Sequence, residues 1–212
     1  MKPKQDVQQL LKLAQRVQAL SENGQHFAES DYDMDRYTEL EKISLEMISL
    51  ITDTSIEIIQ PLIEEKFGYR TPKVDVRAVV FDQDDAILMV REKIDGKWSL
   101  PGGWADVGYT PAEIALKETS EEAGIDVEPG RLLAIFDKKC HDHPPDIFYS
   151  YKLFIECKPL NDKLKTGYET LDASYFAAED LPELSTPRNT LNQVEMMFEY
   201  RKGKRSWPYI DL

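Results

Sequence analysis

Cysteine is scarce in this sequence, with Cys140 and Cys157 the only two among 212 residues. Two thiols are too few for a disulfide framework, so both are expected to be buried or idle. No apolar run reaches the length of about 18 residues that a membrane-spanning helix requires. The first ten residues, MKPKQDVQQL, lack the apolar core of a signal peptide, and a cytoplasmic location is the expectation.

Basic residues are also few: the sequence has 26 Lys and Arg but 39 Asp and Glu, which gives a net charge of −13. Such a surface repels nucleic acid and anionic membranes, so we expect neither duplex nucleic acid nor a membrane as a partner. A small phosphate-bearing substrate remains compatible, because bound divalent cations reverse the local field.

The first third of the chain predicts helices only, because apolar residues recur at helical spacing through residues 3–67. In the second predicted helix, Asp33 or Asp35 is the candidate N-cap. A third apolar segment covers residues 56–67, where Pro61 either starts or kinks the helix. One stripe of the second helix consists of Tyr37, Leu40, Ile43, Met47, Leu50 and Thr54.

Leu45 and Ile48 lie on another side of that second helix. Residues 1–68 are too few to bury two apolar faces by themselves, because so small a domain has a poor surface-to-volume ratio. We therefore expect the face with Leu45 and Ile48 to bind a second copy. The predicted assembly is a homodimer built through the N-terminal helices. The alternative is a monomer whose helices fold back fully on their own sheet.

The remainder of the chain predicts strands and two further helices. Gly68 and Pro72 interrupt the helical pattern, and residues rich in β-branched side chains follow. A closing helix is predicted within 186–202, with Thr186 as candidate N-cap and Pro187 in its first turn. Strands are predicted at 74–81, 86–92, 131–139, 147–158 and near 173–180. The fold class is therefore α+β, with a small all-helical domain at 1–68 and a second domain at 69–212.

An acidic helix in the second domain has strong start and stop signals. Thr110 is a good N-cap, Pro111 suits the first helical position, and Glu113 completes a capping box. Gly124 can end the helix in a left-handed conformation. The helix is therefore predicted over residues 111–123, with Ala112, Leu116, Thr119 and Ala123 facing the sheet.

Three carboxylates, Glu118, Glu121 and Glu122, share an arc at the edge of that buried stripe. Like charges at these spacings repel, and a hard divalent cation would relieve the repulsion through oxygen ligands. A solvated acidic face is the alternative. The Gly102-Gly103 pair upstream lets a backbone carbonyl approach a ligand closely and add an oxygen to the set.

Gly103, Lys117-Glu118, Glu121-Glu122 and Gly124 together resemble the Nudix box of Nudix hydrolases. The resemblance covers about residues 70–205 and implies an α/β/α sandwich with a mixed sheet. Two positions depart from the family pattern. Lys117 stands where the family has an arginine that orients the glutamates, and lysine lacks its bidentate fork. Tyr109 stands where the family has a glutamate.

Tyr109 has two interpretations. It precedes the N-cap, and Ile114 is the fourth helical residue, so the pair fits a hydrophobic staple. The alternative is a ring that faces the non-nucleotide half of a substrate.

The resemblance implies hydrolysis of a nucleoside diphosphate linked to another moiety, giving a nucleoside monophosphate and a phosphorylated second product. It implies Mg²⁺ or Mn²⁺ bound by the Gly102 carbonyl, Glu118, Glu121 and Glu122, with water activated as the nucleophile. Glu121 or Glu169 is the candidate proton acceptor. Glu169 is included because the family often has a glutamate six residues before an aromatic, here Tyr175.

The helical domain before the Nudix-like domain resembles a bacterial group of X-linked nucleoside diphosphate hydrolases often labelled ADP-ribose pyrophosphatases. ADP-ribose-like substrates are the first expectation, and CDP-alcohols such as CDP-choline are the alternative. A nucleotide-sensing regulator without catalysis is an alternative of another class. The intact glutamate set and the lack of a basic appendage argue against it.

Cys140, His141 and His143 are crowded into one predicted loop. Structural zinc is disfavoured there, because no second ligand pair follows at zinc-finger spacing. A histidine at the mouth of the site, in contact with phosphate or substrate, is the alternative.

Overall fold

The computed structural model describes residues 4–63, 72–144, 150–161 and 163–211. The helices are α1 (Lys4–Phe27), α2 (Asp31–Thr52), α3 (Ile56–Ile63), α4 (Pro111–Ala123) and α5 (Leu191–Arg201). The strands are β1 (Lys73–Val80), β2 (Ile87–Glu92), β3 (Trp98–Ser99), β4 (Gly102–Trp104), β5 (Val127–Asp137), β6 (Ser150–Pro159), β7 (Thr170–Phe176) and β8 (Tyr209–Ile210). Within these ranges, no helix combines the length and apolar character needed to cross a membrane.

The chain divides into two compact units, one built mainly by the N-terminal helices and the other by Pro72–Ala105 and Tyr109–Leu212. The predicted domain boundary at residue 68 lies outside the described residues, as does the end of the segment predicted to reach residue 67. Pro61 lies within α3.

The start of α2 differs from the prediction. Ser30 is its N-cap, and the Ser30 hydroxyl accepts a hydrogen bond from the backbone N–H of Asp33. The expectation that Asp33 or Asp35 caps this helix is therefore wrong. Asp33 lies in the first turn instead, where its negative charge is favourable near the positive end of the helix dipole.

The helical unit has its own small core. Leu45 and Ile48 are buried in it together with Ala14 of α1 and Ile59 of α3. The expectation that Leu45 and Ile48 form a free face is wrong, because α1 and α3 supply the apolar contacts that cover them. The other stripe of α2 is the exposed one, with Leu40 39%, Ile43 42% and Leu50 86% accessible.

The second unit contains a five-stranded sheet in the order β4-β1-β6-β5-β8 and a three-stranded sheet in the order β3-β2-β7. β1 is antiparallel to β4 and parallel to β6, so the larger sheet is mixed. Alternate residues of β1 join two different hydrophobic clusters. Val76 and Ala78 pack with Ile114 of α4, whereas Val79 packs with Met197 of α5. Both faces are thus covered, and the predicted α+β sandwich is confirmed.

The segment before α5 does not form the predicted start of the closing helix. α5 begins at Leu191 after the N-cap Thr190, so the assignment of Thr186 as cap and Pro187 as first-turn residue is wrong. The preceding segment binds β3 instead. The backbone N–H of Trp98 donates to the carbonyl of Glu183, and the N–H of Ser185 donates to the carbonyl of Trp98.

Helix α4 has the predicted bounds and caps. Thr110 and Glu113 form the capping box, and Gly124 ends the helix at φ +66°. The predicted buried stripe is only half right, because Ala112 and Leu116 are half-buried. The buried residues are Ile114, Ala115, Thr119, Glu122 and Ala123. The helix is thus turned so that one carboxylate points into the protein.

Candidate active site

Glu122 is a buried carboxylate bound to the glycine pair before the helix. The backbone N–H of Gly102 donates to Glu122 Oε2 over 2.9 Å. Burial raises the pKa of Glu122 to about 8, although Arg77 and the Gly102 N–H act to lower it. Repulsion from Glu92 and Glu118 adds to the rise. A carboxylate in this setting is stabilised strongly by an added cation.

Glu118 lies against Gly103, where a Cβ atom would stand 3.1 Å from the Glu118 carboxyl carbon. The absence of a side chain at Gly103 therefore makes room for this carboxylate. Lys117 Nζ is 3.6 Å from Glu118 Oε1 and 4.0 Å from Glu121 Oε2. The structure thus brings Glu118 and Glu122 together beside the glycine pair, whereas the Glu121 side chain is 61% exposed.

Glu169 is exposed and directly precedes β7. Its neighbour Thr170 donates through its hydroxyl to the carbonyl of Glu122 over 2.8 Å. The backbone N–H of Gly167 also donates to that carbonyl. The loop that carries Glu169 is therefore anchored on the C-terminal end of α4.

A buried charge network next to these carboxylates was missed by the sequence reasoning. Arg77 donates to the carboxylate of Asp75 and to the carbonyl of Leu100, and Lys152 of β6 pairs with the same carboxylate. Burial acts to raise the pKa of Asp75, but Arg77 and Lys152 outweigh it and hold that pKa below its usual value. An Asp and an Arg two residues apart in an otherwise apolar strand were the available signal.

The residues present fit a hard divalent cation. Glu118 and Glu122 supply carboxylate oxygens, and burial, which raises the pKa of Glu122, disfavours its charged form unless a cation compensates the charge. Among the described residues, no three His, Cys, Asp or Glu side chains form a complete metal-binding group. Mg²⁺ is often bound by one or two carboxylates together with substrate phosphates, so a complete protein cage is not required.

Tyr109 is half-buried and packs against the hydrophobic cluster that contains Ile114, as the staple interpretation requires. Its ring centroid is also 6.0 Å from Lys117 Nζ. The ring therefore links the start of α4 to the lysine that stands beside Glu118 and Glu121.

We expect Tyr109→Leu to keep most of the thermal stability, because leucine retains the apolar contact. Tyr109→Glu should lower the unfolding temperature, because it places a charge against an apolar cluster. Calorimetry on both variants checks this. KM values for two nucleotide substrates provide the contrasting test: a marked rise for one substrate only in Tyr109→Leu would assign the ring to substrate recognition instead.

The two histidines of the crowded loop have protein partners. His141 Nε2 is 3.0 Å from Asp211 Oδ2, and His143 Nδ1 is 2.6 Å from the carbonyl of Thr186. Burial lowers the pKa of His143 to about 4, with a smaller contribution from nearby Lys152. Cys140 is exposed, and no metal-binding group forms from these residues in the described part of the chain.

The His143 pKa predicts a pH-dependent stability. Between about pH 6.5 and about pH 4 the unfolded chain binds a proton at this position that the folded chain does not, so stability is lost as the pH falls. The free energy of unfolding, measured in urea, should therefore decrease more between about pH 7 and about pH 5 in the wild type than in His143→Gln. Parallel pH profiles for the two proteins would contradict the assignment.

Comparison with known proteins adds independent findings. A family model described as a UDP-X-like, N-terminal oligomerisation domain matches residues 8–63, and the NUDIX domain model matches residues 71–197. YjhB of Bacillus subtilis (strain 168), whose name describes it as a provisional ADP-ribose pyrophosphatase, is 45% identical over 190 residues, covering 90% of this chain and 91% of that protein.

Two solved structures are similar across the fold. The crystal structure of a UDP-X diphosphatase has a TM-score of 0.65 and 32% identity, and the match covers 97% of this chain and 99% of that chain. An ADP-ribose pyrophosphatase from Streptococcus suis 89-1591 has a TM-score of 0.60 and 39% identity, over 66% of this chain and 100% of that chain.

Proposed function

The chain belongs to the Nudix hydrolase family, and we propose that it cleaves the pyrophosphate of a nucleoside diphosphate linked to another moiety, with ADP-ribose-like compounds preferred. The products are a nucleoside monophosphate and a phosphorylated second product. The observation that carries the proposal is the buried Glu122 carboxylate on the Gly102 N–H, with Glu118 against Gly103. The preference for ADP-ribose rests on the similarity to YjhB.

Members of the family generally use divalent metal ions, and here Glu118, Glu122 and the Gly102 carbonyl would hold Mg²⁺ or Mn²⁺, with Glu121 at the margin. The ion would neutralise the pyrophosphate charge, orient the scissile bond and activate water as a nucleophile near neutral pH. The Gly102 N–H bonds to the Glu122 carboxylate, and Lys117, within 4.0 Å of both Glu118 and Glu121, would offset part of their mutual repulsion.

Glu121 and Glu169 are the two candidates for accepting the proton of the attacking water. Both are exposed, so either can meet a substrate that enters from solvent. Glutamine variants at the two positions separate them. We expect the variant that removes the base to lose kcat by at least about 100-fold, whereas the other variant should keep a kcat close to that of the wild type.

A second candidate substrate class is UDP linked to another moiety. It is favoured by the match of the UDP-X diphosphatase structure over nearly the whole of both chains. CDP-alcohols such as CDP-choline are the remaining alternative.

The test is a substrate panel with the purified chain. ADP-ribose, a UDP-sugar and CDP-choline are incubated with Mg²⁺, with Mn²⁺ or with EDTA, and the products are separated by chromatography. We expect a nucleoside monophosphate only when a divalent cation is present, and the highest kcat/KM for ADP-ribose. Absence of cleavage across the panel would reject the proposed substrate class, and a higher kcat/KM for the UDP-sugar would favour the second candidate.

The proposed assembly is a homodimer through the N-terminal helices, supported by the match to an oligomerisation domain at residues 8–63. The apolar stripe of α2 with Leu40, Ile43 and Leu50 is the proposed interface, because Leu45 and Ile48 are already buried within the helical unit. A closed two-fold arrangement would bury this stripe against its copy.

Light scattering after gel filtration tests the dimer at micromolar concentration. The wild type should have twice the chain mass, and Leu50→Asp should shift it to the monomer, because a charge cannot be buried cheaply at an apolar interface. Leu171→Asp is the matched control, since Leu171 is also exposed but lies on β7. A monomeric wild type would rule out the dimer, and a dimeric Leu50→Asp would place the interface elsewhere.

A further inference from the structure

Another buried carboxylate, Glu92 at the end of β2, lies near the proposed catalytic carboxylates. Only 4% of Glu92 is exposed. Its Oε1 accepts a hydrogen bond from the Ser99 hydroxyl over 2.6 Å and another from Arg188 Nε over 2.7 Å. Arg188 therefore pairs directly with this charge.

Arg188 belongs to the segment between β7 and α5 that binds the residues leading into Gly102. Besides the contacts of Trp98 described above, the backbone N–H of Leu100 donates to the side-chain oxygen of Asn189 over 2.9 Å. Asn189, next to Arg188, is fully buried. The segment thus bonds to the backbone of Trp98 and Leu100, and its Arg188 side chain pairs with Glu92.

From Leu100 the contacts continue to the carboxylates. The Leu100 carbonyl accepts from Arg77 Nη1 over 3.0 Å, and the Pro101 carbonyl accepts from the N–H of Ala78 over 2.8 Å. The next residue, Gly102, donates to Glu122. The position of the Glu122 carboxylate therefore depends on the course of this short segment.

Electrostatic interactions connect the Glu92–Arg188 pair with the contact between Gly102 and Glu122. Arg77 attracts both Glu122 and Glu92, and Glu92 repels Glu122. If Arg188 were absent, the Ser99 hydroxyl would be the remaining side-chain hydrogen-bond partner of the buried Glu92 charge within the described part of the chain. Glu92 would then compete for Arg77, which now bonds to Asp75 and Leu100.

We propose that Arg188 is a positioning residue for the carboxylate site: by pairing with Glu92 it keeps Arg77 on the Leu100 carbonyl and Glu122 on the Gly102 N–H. The inference deepens the proposed function and rests on it for the role of Glu122. Arg188 itself does not touch the reacting atoms in this scheme.

The test removes the guanidinium and then the charge that it compensates. Arg188→Met should lower kcat and weaken Mn²⁺ binding without substrate, each by about 10- to 100-fold, with KM changed much less. Adding Glu92→Gln should restore both quantities, because no uncompensated charge remains. Arg188→Lys should retain most of the activity. Arg201→Met, which breaks the exposed pair with Asp85, is the matched control and should behave as the wild type.

The outcomes separate this role from a structural one. Wild-type metal binding and kcat in Arg188→Met would overturn the proposal, as would a double variant as impaired as the single one. If Arg188→Met fails to fold, the double variant is expected to fold and bind Mn²⁺, and its failure counts against the proposal. Mn²⁺ binding, followed by electron paramagnetic resonance, needs no substrate. A wild type that binds Mn²⁺ but cleaves none of the panel would therefore reject the substrate class alone.

Discussion

Glu122→Gln is expected to lower kcat by at least about two orders of magnitude, because the metal ion that this carboxylate is proposed to hold would supply several kcal/mol of charge stabilisation in the transition state. Glutamine has the size of glutamate, and its amide oxygen can still accept from the Gly102 N–H. Burial already disfavours the charged form of Glu122, so the unfolding temperature in EDTA should stay the same or rise. Steady-state kinetics and calorimetry on one preparation measure both effects.

Glu118→Gln should show a similar loss of kcat, because Glu118 lies beside Gly103 at the same site. Glu195→Gln, an exposed position on α5, is the control and should keep wild-type kinetics. Near-normal activity in both Glu118→Gln and Glu122→Gln would remove the metal-site hypothesis.

Gly102→Ala should damage stability and activity together. Gly102 has φ +151°, and a Cβ there would overlap the carbonyl oxygen of Val76 and stand 2.9 Å from the Cα of Arg77. These are backbone atoms of β1, which pairs with β4 at this position, so relief requires the two strands to separate. Overpacking and backbone strain each cost about 1–3 kcal/mol, and a combined destabilisation of about 3 kcal/mol is expected.

The movement of β4 should also take the Gly102 N–H away from Glu122, so kcat should fall by at least about tenfold, the lower end for loss of a supporting contact. Gly203→Ala is the matched control, because Gly203 also has a positive φ, +70°, but nothing lies within 4 Å of a Cβ there. It should cost only about 1 kcal/mol of backbone strain and leave kinetics unchanged. Equal stability and activity in the two variants, measured by urea unfolding and kcat, would contradict this account.

Helical periodicity did not predict which face of α4 is buried. A helical projection placed Leu116 on the sheet side and all three glutamates at its edge. In the structure the helix is rotated, so Ile114 and Ala115 pack inward and Glu122 is buried with them. Periodicity predicts the helix itself. Its rotation depends on groups outside the helix that the neighbouring strand presents to it, such as the Gly102 N–H.

Helical periodicity likewise did not predict which apolar stripe of α2 is exposed. Two apolar stripes were visible in the sequence, and either could have been the internal one. Contact with Ala14 and Ile59 decided that Leu45 and Ile48 are covered and that Leu50 is exposed. The choice depends on how α1 and α3 pack, which local sequence does not encode.

By itself the sequence determined the acidic helix, its caps and the carboxylate spacing that marks the family, because capping and helical spacing involve residues only a few positions apart. Segments rich in β-branched residues likewise predicted the longer strands of the second unit. Only the tertiary structure decided which carboxylate is buried and how the charges around it are paired. Asp75 and Lys152 are distant in the chain, and so are Glu92 and Arg188. Only the packed fold brings the two charges of each pair into contact, where each offsets part of the desolvation cost of the other.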